Sequence, residues 1–375
     1  ESGPQWMGAL YDEHGRGPLA TRGQKSILDE FGAMKSEQVG NADELYNAIK
    51  KEDWNEYTLI AQGAHLIQKI NGNITAEVFD YDPKGYRSGI LALQIHQGPP
   101  MTVQFKDIRL KRLPLQDKKK VVLVAGKPSH GHGSHEHNAG VLLLKSCLEK
   151  YPDTLNAVYL NGWPDDPTAF DNADSILFYM DGGAGNPLIQ ENRLQQIGER
   201  MKQGTGLVLL HYAVEVPKER GGKELMEWIG GYYERPFSTN PMWKPDFKEI
   251  PTHPVTRGLE PFTLEDEWYF NMRFRPEMKG VIPLLVATPP DEVRGEGAKA
   301  FPGRPEIVAW CVQREDGGRG FGFTGGHFHE NWGNENFRTI ILNAIYWTAH
   351  YEIPGSGIVS SIEEEELEKN MDDKK

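Results

Sequence analysis

Cysteine is scarce in this chain: there are two in 375 residues, Cys147 and Cys311, far apart and each set in an apolar helix or strand pattern. They read as two buried reduced thiols rather than a disulfide framework, and the redox compartment stays open. Positive charge is also in deficit, with 41 Lys and Arg against 54 Asp and Glu and a formal net charge of −13. A nucleic-acid partner needs a basic face, so that class is excluded. No run approaches the roughly 18–20 apolar residues that cross a bilayer, and no membrane span is expected. No G-x-x-x-x-G-K-[ST] loop occurs, and the single G-x-G-x-x-G, Gly320 to Gly325, lies within a strand pattern instead of opening a helix after one, which argues against a nucleotide cofactor. No strand-to-helix turn carries a G-x-S-x-G serine or its cysteine analogue, so covalent serine or thiol catalysis is not expected. The chain starts at Glu1 instead of methionine, which reads as the removal of a leader or of a larger piece, and a periplasmic or secreted protein is the expectation.

What is present divides into two grammars. Residues 1–112 read as all-β. WNEYTLIAQ and HLIQKING lead through the turn signal Asn71-Gly72 into ITAEVFDYD, then SGILALQIHQG and MTVQFKDIRLKRL follow. Short strands separated by turn signals predict a sandwich. LPLQDKK (113–119) is the linker. From residue 118 to 354, strands alternate with helices. KKVVLVAG (119–126) is a continuous apolar run, the mark of a strand buried on both faces of a parallel sheet. A helix over 138–150, the strands NAVYLNG and SILFYMDGG, a helix from Ile189, the strand GLVLLHYAVE and a last strand–helix unit ending at 334–350 complete a doubly wound α/β sheet. Residues 355–375 form an acidic tail, expected to be a frayed helix or disordered.

Four of the twelve histidines fall within KPSHGHGSHEHNAG: His130, His132, His135 and His137. In an open parallel sheet, ligands sit outside the carboxyl ends of the strands. Strand 119–126 runs into this loop, strand 175–180 into Asp181, and strand 206–210 into His211, Tyr212 and Glu215. Strand 320–325 runs into His327, His329 and Glu330. Four strand ends thus deliver His, Asp and Glu to one edge. Imidazole and carboxylate suit zinc, iron or manganese, and a divalent metal on His135, His137, His211 and His327 is the expectation. The spacing matches no helical ligand motif such as H-E-x-x-H. His132, between two glycines, is expected to be a bystander.

The segments VVLVAGKPSHGHGSHEHNAG, GLVLLHYAVEVP, THPVTRGLEPFTLEDEWYF and GFTGGHFHENWGNENFRTIILNAIYW resemble the ThuA-like (trehalose-utilisation) family across residues 119–350. The fold of that family is similar to the class I glutamine amidotransferases without their cysteine. WMGALYDE, DWNEYTLIAQGAHLIQKING and LALQIHQGPPMTVQFKDIRLK are similar to the C-terminal part of the 3-keto-disaccharide hydrolase domain, a concanavalin-like jelly roll. That domain usually begins earlier, so 1–112 is expected to be N-terminally incomplete, with Lys25, His65 and His96 as its site residues.

Both resemblances imply carbohydrate: hydrolysis or elimination at the glycosidic bond of a 3-keto sugar. A 3-keto group acidifies the C2 proton, so a base can remove it and expel the C1 substituent. His130, His135, His137, Tyr212, Trp268 and His329 are expected to contact substrate. His211, Asp181, Glu215 and Glu267 are expected to do chemistry. Glu267, sheltered by Trp268 and Tyr269, is expected to have a raised pKa and act as general base or acid, with Glu215 as its alternative. The rival reading is a non-catalytic sugar-binding or amidotransferase-like accessory protein, with Trp6, Trp54, Trp163 and Trp243 stacking on sugar faces.

Overall fold

A computed structural model of the protein describes residues 6–86, 90–93, 100, 102–111, 113, 118–151 and 153–374. The chain divides into two units, Glu1–Gln116 and Asp117–Lys375.

In the first unit a hairpin of β1 (Leu10–Asp12) and β2 (Gly17–Ala20) and a short helix, α1 (Ala42–Asn47), accompany a five-stranded sheet. Its strands are β3 (Gln24–Leu28), β4 (Met34–Gln38), β5 (Tyr57–Gln62), β6 (His65–Ile70) and β7 (Asn73–Asp80), in the order β4-β3-β7-β6-β5. Asn71 and Gly72 take φ of +51° and +82°, so both central residues of the β6–β7 turn are left-handed, as a two-residue type I′ hairpin requires. Leu19, Ala20, Leu28, Ala76 and Val78 form a small core on one face. The other face carries Lys25, Glu77, Phe79 and His65, which the register sets side by side. The strand expected from Met101 is corrected: 102–111 is not a strand, and Val103, Phe105, Ile108 and Leu110 are exposed. Alternation yields a strand only where a sheet edge completes its backbone hydrogen bonds, and no described residue pairs with this segment.

The second unit is built on seven strands: β8 (Lys119–Ala125), β9 (Thr154–Tyr159), β10 (Ser175–Tyr179), β11 (Gly206–Leu210), β12 (Val281–Ala287), β13 (Glu306–Gln313) and β14 (Arg319–Phe323). Their order is β12-β13-β14-β11-β10-β8-β9. The run from β9 to β14 is parallel, whereas β13 and β12 add antiparallel at one edge, so the sheet is mixed. Strand β8 shows why the sheet is doubly wound. Val121, Leu123 and Ala125 enter one core together with the helices α2 (His137–Leu148) and α5 (Glu335–Thr348). Val122 and Val124 enter a second core with Ile197 and Met201 of α3 (Arg193–Met201) and with Leu225 and Trp228 of α4 (Lys223–Trp228). A continuous apolar run is what two covered faces demand. Cys147 and Cys311 are both free and buried.

The acidic tail also differs from expectation. It forms a short helix, α6 (Glu364–Glu368), and the residues after it are hydrogen-bonded to the histidine loop. Charge alone suggested solvation; a buried partner for Lys374 reverses it.

Leu123 has no exposed surface and packs between β8 and the α2/α5 layer. Leu123→Ala should lower unfolding stability by about 3 kcal/mol, the transfer term plus a cavity. Urea denaturation checks this; a loss under about 1 kcal/mol would show that the layer collapses around the gap.

Candidate metal centre

The histidines meet because four parallel strands end at the same edge. His211 follows β11 and sits in the left-handed region at φ +53°. It occupies the strand-to-helix turn, where a nucleophile stands in other doubly wound folds, but holds an imidazole. His135 (φ +50°) and His130 (φ +61°) are also left-handed. Such a conformation in a non-glycine residue costs of order 1–3 kcal/mol and persists only where neighbours hold it. The His135 N–H donates to the His327 carbonyl (2.9 Å), the His329 N–H to the Gly133 carbonyl (2.8 Å), and Ser134 bridges Phe328. The loops after β8 and β14 are thus zipped together.

The ring nitrogens converge. His135 Nε2 lies 3.2 Å from His211 Nε2 and 3.1 Å from His327 Nδ1, and Glu267 Oε2 lies 3.4 Å from both His211 Nε2 and His327 Nδ1. His211 Nδ1 faces the Thr324 carbonyl at 2.8 Å. A carbonyl only accepts, so in the neutral ring the proton sits on Nδ1 and Nε2 keeps its lone pair. His135 Nδ1 faces Asp181 Oδ1 at 2.9 Å, which leaves its Nε2 bare in the same way. Burial pushes the His135 pKa down to about 3, against the pull of Asp181. For Asp181 burial pushes upward, yet the hydrogen bond from His135 and the nearby His137 hold it at about 2. A neutral imidazole donating to an ionised carboxylate satisfies both. Two lone pairs therefore face each other at 3.2 Å with a carboxylate beside them. Four of the six separations match the about 3.3 Å between ligand atoms bonded at 2.0–2.1 Å to a tetrahedral ion, and all six lie within 4.8 Å, so this group can hold a divalent cation. The Asp181–His135 pair has the form of a carboxylate orienting a ligating imidazole.

Each expected residue can now be placed. Glu267 stands in the position expected for His137. His137 is buried, accepts no ligand position in this group, and turns Nδ1 to the Lys127 carbonyl (3.1 Å), with Nε2 3.8 Å from Asp181. His130 stacks on His135 with ring centroids 3.6 Å apart and lies at the open side with Asp181. His132 is exposed. Tyr212 is half-buried, its ring 5.9 Å from His135. His329 does not reach the cluster: it is buried, and its Nε2 faces the Leu367 carbonyl at 2.7 Å. Trp268 is fully buried among Phe247, Phe323 and Phe337, so it packs the core and cannot touch a substrate. Trp243 is likewise buried, and Trp163 stacks on Phe178. In the first unit, His65 stacks on Phe79 and faces Glu77 at 2.7 Å, and Lys25 Nζ lies 5.1 Å from the Phe79 ring. His96 lies outside the described residues.

The raised pKa expected for Glu267 falls instead on its named alternative, Glu215. Burial raises the Glu267 pKa, but the facing His211 and His327 rings, in their protonated forms, outweigh it and hold the group far below the carboxylate range. Asn240 Nδ2 donates to its other oxygen at 2.9 Å. Glu215 is the raised one: burial pushes it to about 7, although Arg235 Nε stands 2.9 Å away and pulls downward. Sequence reasoning missed Asp266. Its fully buried carboxylate accepts the N–H groups of Gly326 (2.7 Å) and His327 (3.0 Å) and so sets the loop that carries His327. The signal was in EDEW: alternation allows only one of two adjacent carboxylates to face the histidines. Tyr269, whose hydroxyl is 3.3 Å from His211 Nε2, was also missed as a site residue.

The fold and this edge define a doubly wound α/β unit with a histidine–carboxylate cluster at the carboxyl ends of its parallel strands. Residues 121–348, more than half of the chain, match the family described as trehalose utilisation (ThuA), and the chain belongs to that family. Residues 1–111 match the 3-keto-alpha-glucoside-1,2-lyase-like domain. Among solved structures, a ThuA-like protein from Bacteroides uniformis is 15% identical, with TM-score 0.43, covering 65% of this chain and 95% of its own. Another from Parabacteroides merdae is 17% identical, with TM-score 0.45, covering 62% of this chain and 90% of its own. No curated protein matches the chain.

A pH dependence follows from Glu215. Folded Glu215 holds its proton up to about pH 7, against an ordinary 4.5. The folded state thus binds the proton more tightly than the unfolded chain. Its contribution is fully present below about pH 4.5 and is lost as pH rises to 7, on the order of 3 kcal/mol for this largely buried group. In metal-free protein, the stability of the wild type relative to Glu215→Gln should fall across that window. Urea midpoints at several pH values check it, and a flat difference would refute the assignment.

Proposed function

We propose that the chain is a carbohydrate-active enzyme that acts on 3-keto glycosides at a divalent-metal centre held by His135, His211, His327 and Glu267. The observation that carries this reading is the convergence of imidazole nitrogens and a carboxylate, with the His135 and His211 rings oriented from outside by acceptors. Zinc, iron or manganese suits the donor set. When bound, such an ion supplies an electrophile that polarises a ketone oxygen.

The chain's own residues supply the rest. Glu215 is poised to take or give a proton near neutral pH, which suits removal of the acidified C2 proton or protonation of the leaving oxygen at C1. Gly183 borders both Glu215 and Tyr212. A Cβ there would come within 3.3 Å of Glu215 Oε1 and 3.4 Å of the Tyr212 hydroxyl, so glycine keeps both groups accessible to the same ligand. At Gly182 a Cβ would sit 2.0 Å from the Tyr212 carbonyl oxygen, so that turn tolerates no side chain. Arg235, largely exposed, offers a cation beside Glu215. Glu267, kept ionised by its two imidazoles, is suited to holding a cation rather than to proton transfer. The match of the first unit to a 3-keto-glucoside lyase-like domain favours the same substrate class for the whole chain. Whether the bond is broken by hydrolysis or elimination depends on whether water adds after the C1 substituent leaves.

Protein purified without chelator should carry one divalent ion per chain by elemental analysis, and His211→Ala should lose it. With a 3-keto glucoside, Glu215→Gln should retain the metal and lower turnover by about 10²–10⁴-fold. Full turnover in Glu215→Gln would move the proton transfer to another group. Metal-free wild type, with full activity, would overturn the reading.

A further inference from the structure

The mechanism does not use Glu136, though it sits between His135 and His137 and has no exposed surface. Its Oε1 accepts the Gly133 N–H at 2.9 Å and lies 3.2 Å from Lys374 Nζ; its Oε2 accepts the Asp372 N–H at 2.8 Å. Lys374 is itself 7% exposed at its side chain, and its ammonium also donates to the carbonyls of Ser134 (2.7 Å) and His135 (3.1 Å). Three donors meet three acceptors, two of them the backbone of the ligand loop. Asp372 Oδ1 accepts from Asn138 Nδ2 at 2.9 Å, and the Leu367 carbonyl faces His329 at 2.7 Å. The 363–374 segment is thereby attached to both loops that carry imidazoles.

We propose that Lys374, acting with Asp372 through Glu136, is a positioning residue of the histidine centre: the docked segment holds the 133–137 loop in the backbone conformation that aims His135 Nε2 at His211 and His327. The physical reasons are two. His135 is in the left-handed region, a conformation that needs outside support, and Lys374 bonds its carbonyl directly. Glu136 and Lys374 are buried opposite charges, so undocking the segment leaves a buried carboxylate uncompensated, which is strongly unfavourable. Docking and loop geometry are therefore one equilibrium. Any ligand that needs His135 in place, the proposed metal included, draws on it; in that respect the inference rests on the metal reading above.

The test compares wild type, Lys374→Met, Lys374→Arg and Lys369→Met, the last an exposed residue in the same segment. Amide hydrogen exchange in metal-free protein reads the loop, and chelator competition with Zn²⁺ reads His135. Lys374→Met should speed exchange at 133–137 and weaken zinc binding by about 10–100-fold, the range for partners that orient ligands. Lys374→Arg should restore both, and Lys369→Met should change neither. Unchanged exchange in Lys374→Met overturns the proposal, as does faster exchange with unaltered zinc affinity. If wild type takes up no zinc, the metal reading fails by itself, and the exchange arm alone decides whether the segment holds the loop.

Discussion

The site depends on one electrostatic constraint: imidazole nitrogens with exposed lone pairs point at each other across about the edge of a coordination tetrahedron. His211 and His135 cannot turn away, because the Thr324 carbonyl and the Asp181 carboxylate hold their other nitrogens. With both rings neutral, a bonded pair would need a proton on one of the facing atoms, and either choice breaks an outer contact. A cation at the centre satisfies every atom at once. The outer acceptors therefore matter as much as the inner ring, since without them the rings would swing apart and the repulsion would disappear.

Holding such an arrangement in place requires support from several directions. The parallel strands set the coarse positions, because β8, β10, β11 and β14 all end at one edge. Fine positions come from loops bonded to each other and to buried charges. Asp266 fixes the turn after β14, the backbone bonds between 133–135 and 327–329 join the two histidine loops, and Glu136 with Lys374 supports the first of them from behind. Three left-handed histidines mark where this support is concentrated.

The same field separates the two carboxylates beside the histidines. Glu267 lies between two imidazoles that favour its charged form when they are protonated, and its pKa is lowered despite burial. Glu215 is comparably sheltered, but faces the charge of Glu267 and a single exposed arginine, so desolvation prevails. One becomes suited to binding a cation and the other to moving a proton. Equal chemistry at the level of residue type becomes unequal through neighbours several residues or a whole element away.

Those neighbours mark the boundary of what the sequence alone determines. Apolar continuity in KKVVLVAG requires a strand covered on both sides, Asn71-Gly72 requires a tight hairpin, and alternating strands and helices bring their carboxyl ends to one edge, so the location of His135, His211 and His327 was legible. These are local or topological signals. Which histidine of the cluster faces inward was not legible, because His135 and His137 lie two residues apart across a backbone that turns left-handed at His135. Nor was the burial of Trp268 and His329, which depends on what packs over them, or the sign of the Glu267 shift, which depends on donors from two other strand ends. The tail at 363–374 is acidic and reads as solvated; it is ordered because Lys374 finds a buried Glu136 at a sequence distance that no periodicity encodes. Pattern decides where elements run and end, whereas electrostatic pairing between distant elements is decided only when the chain is folded.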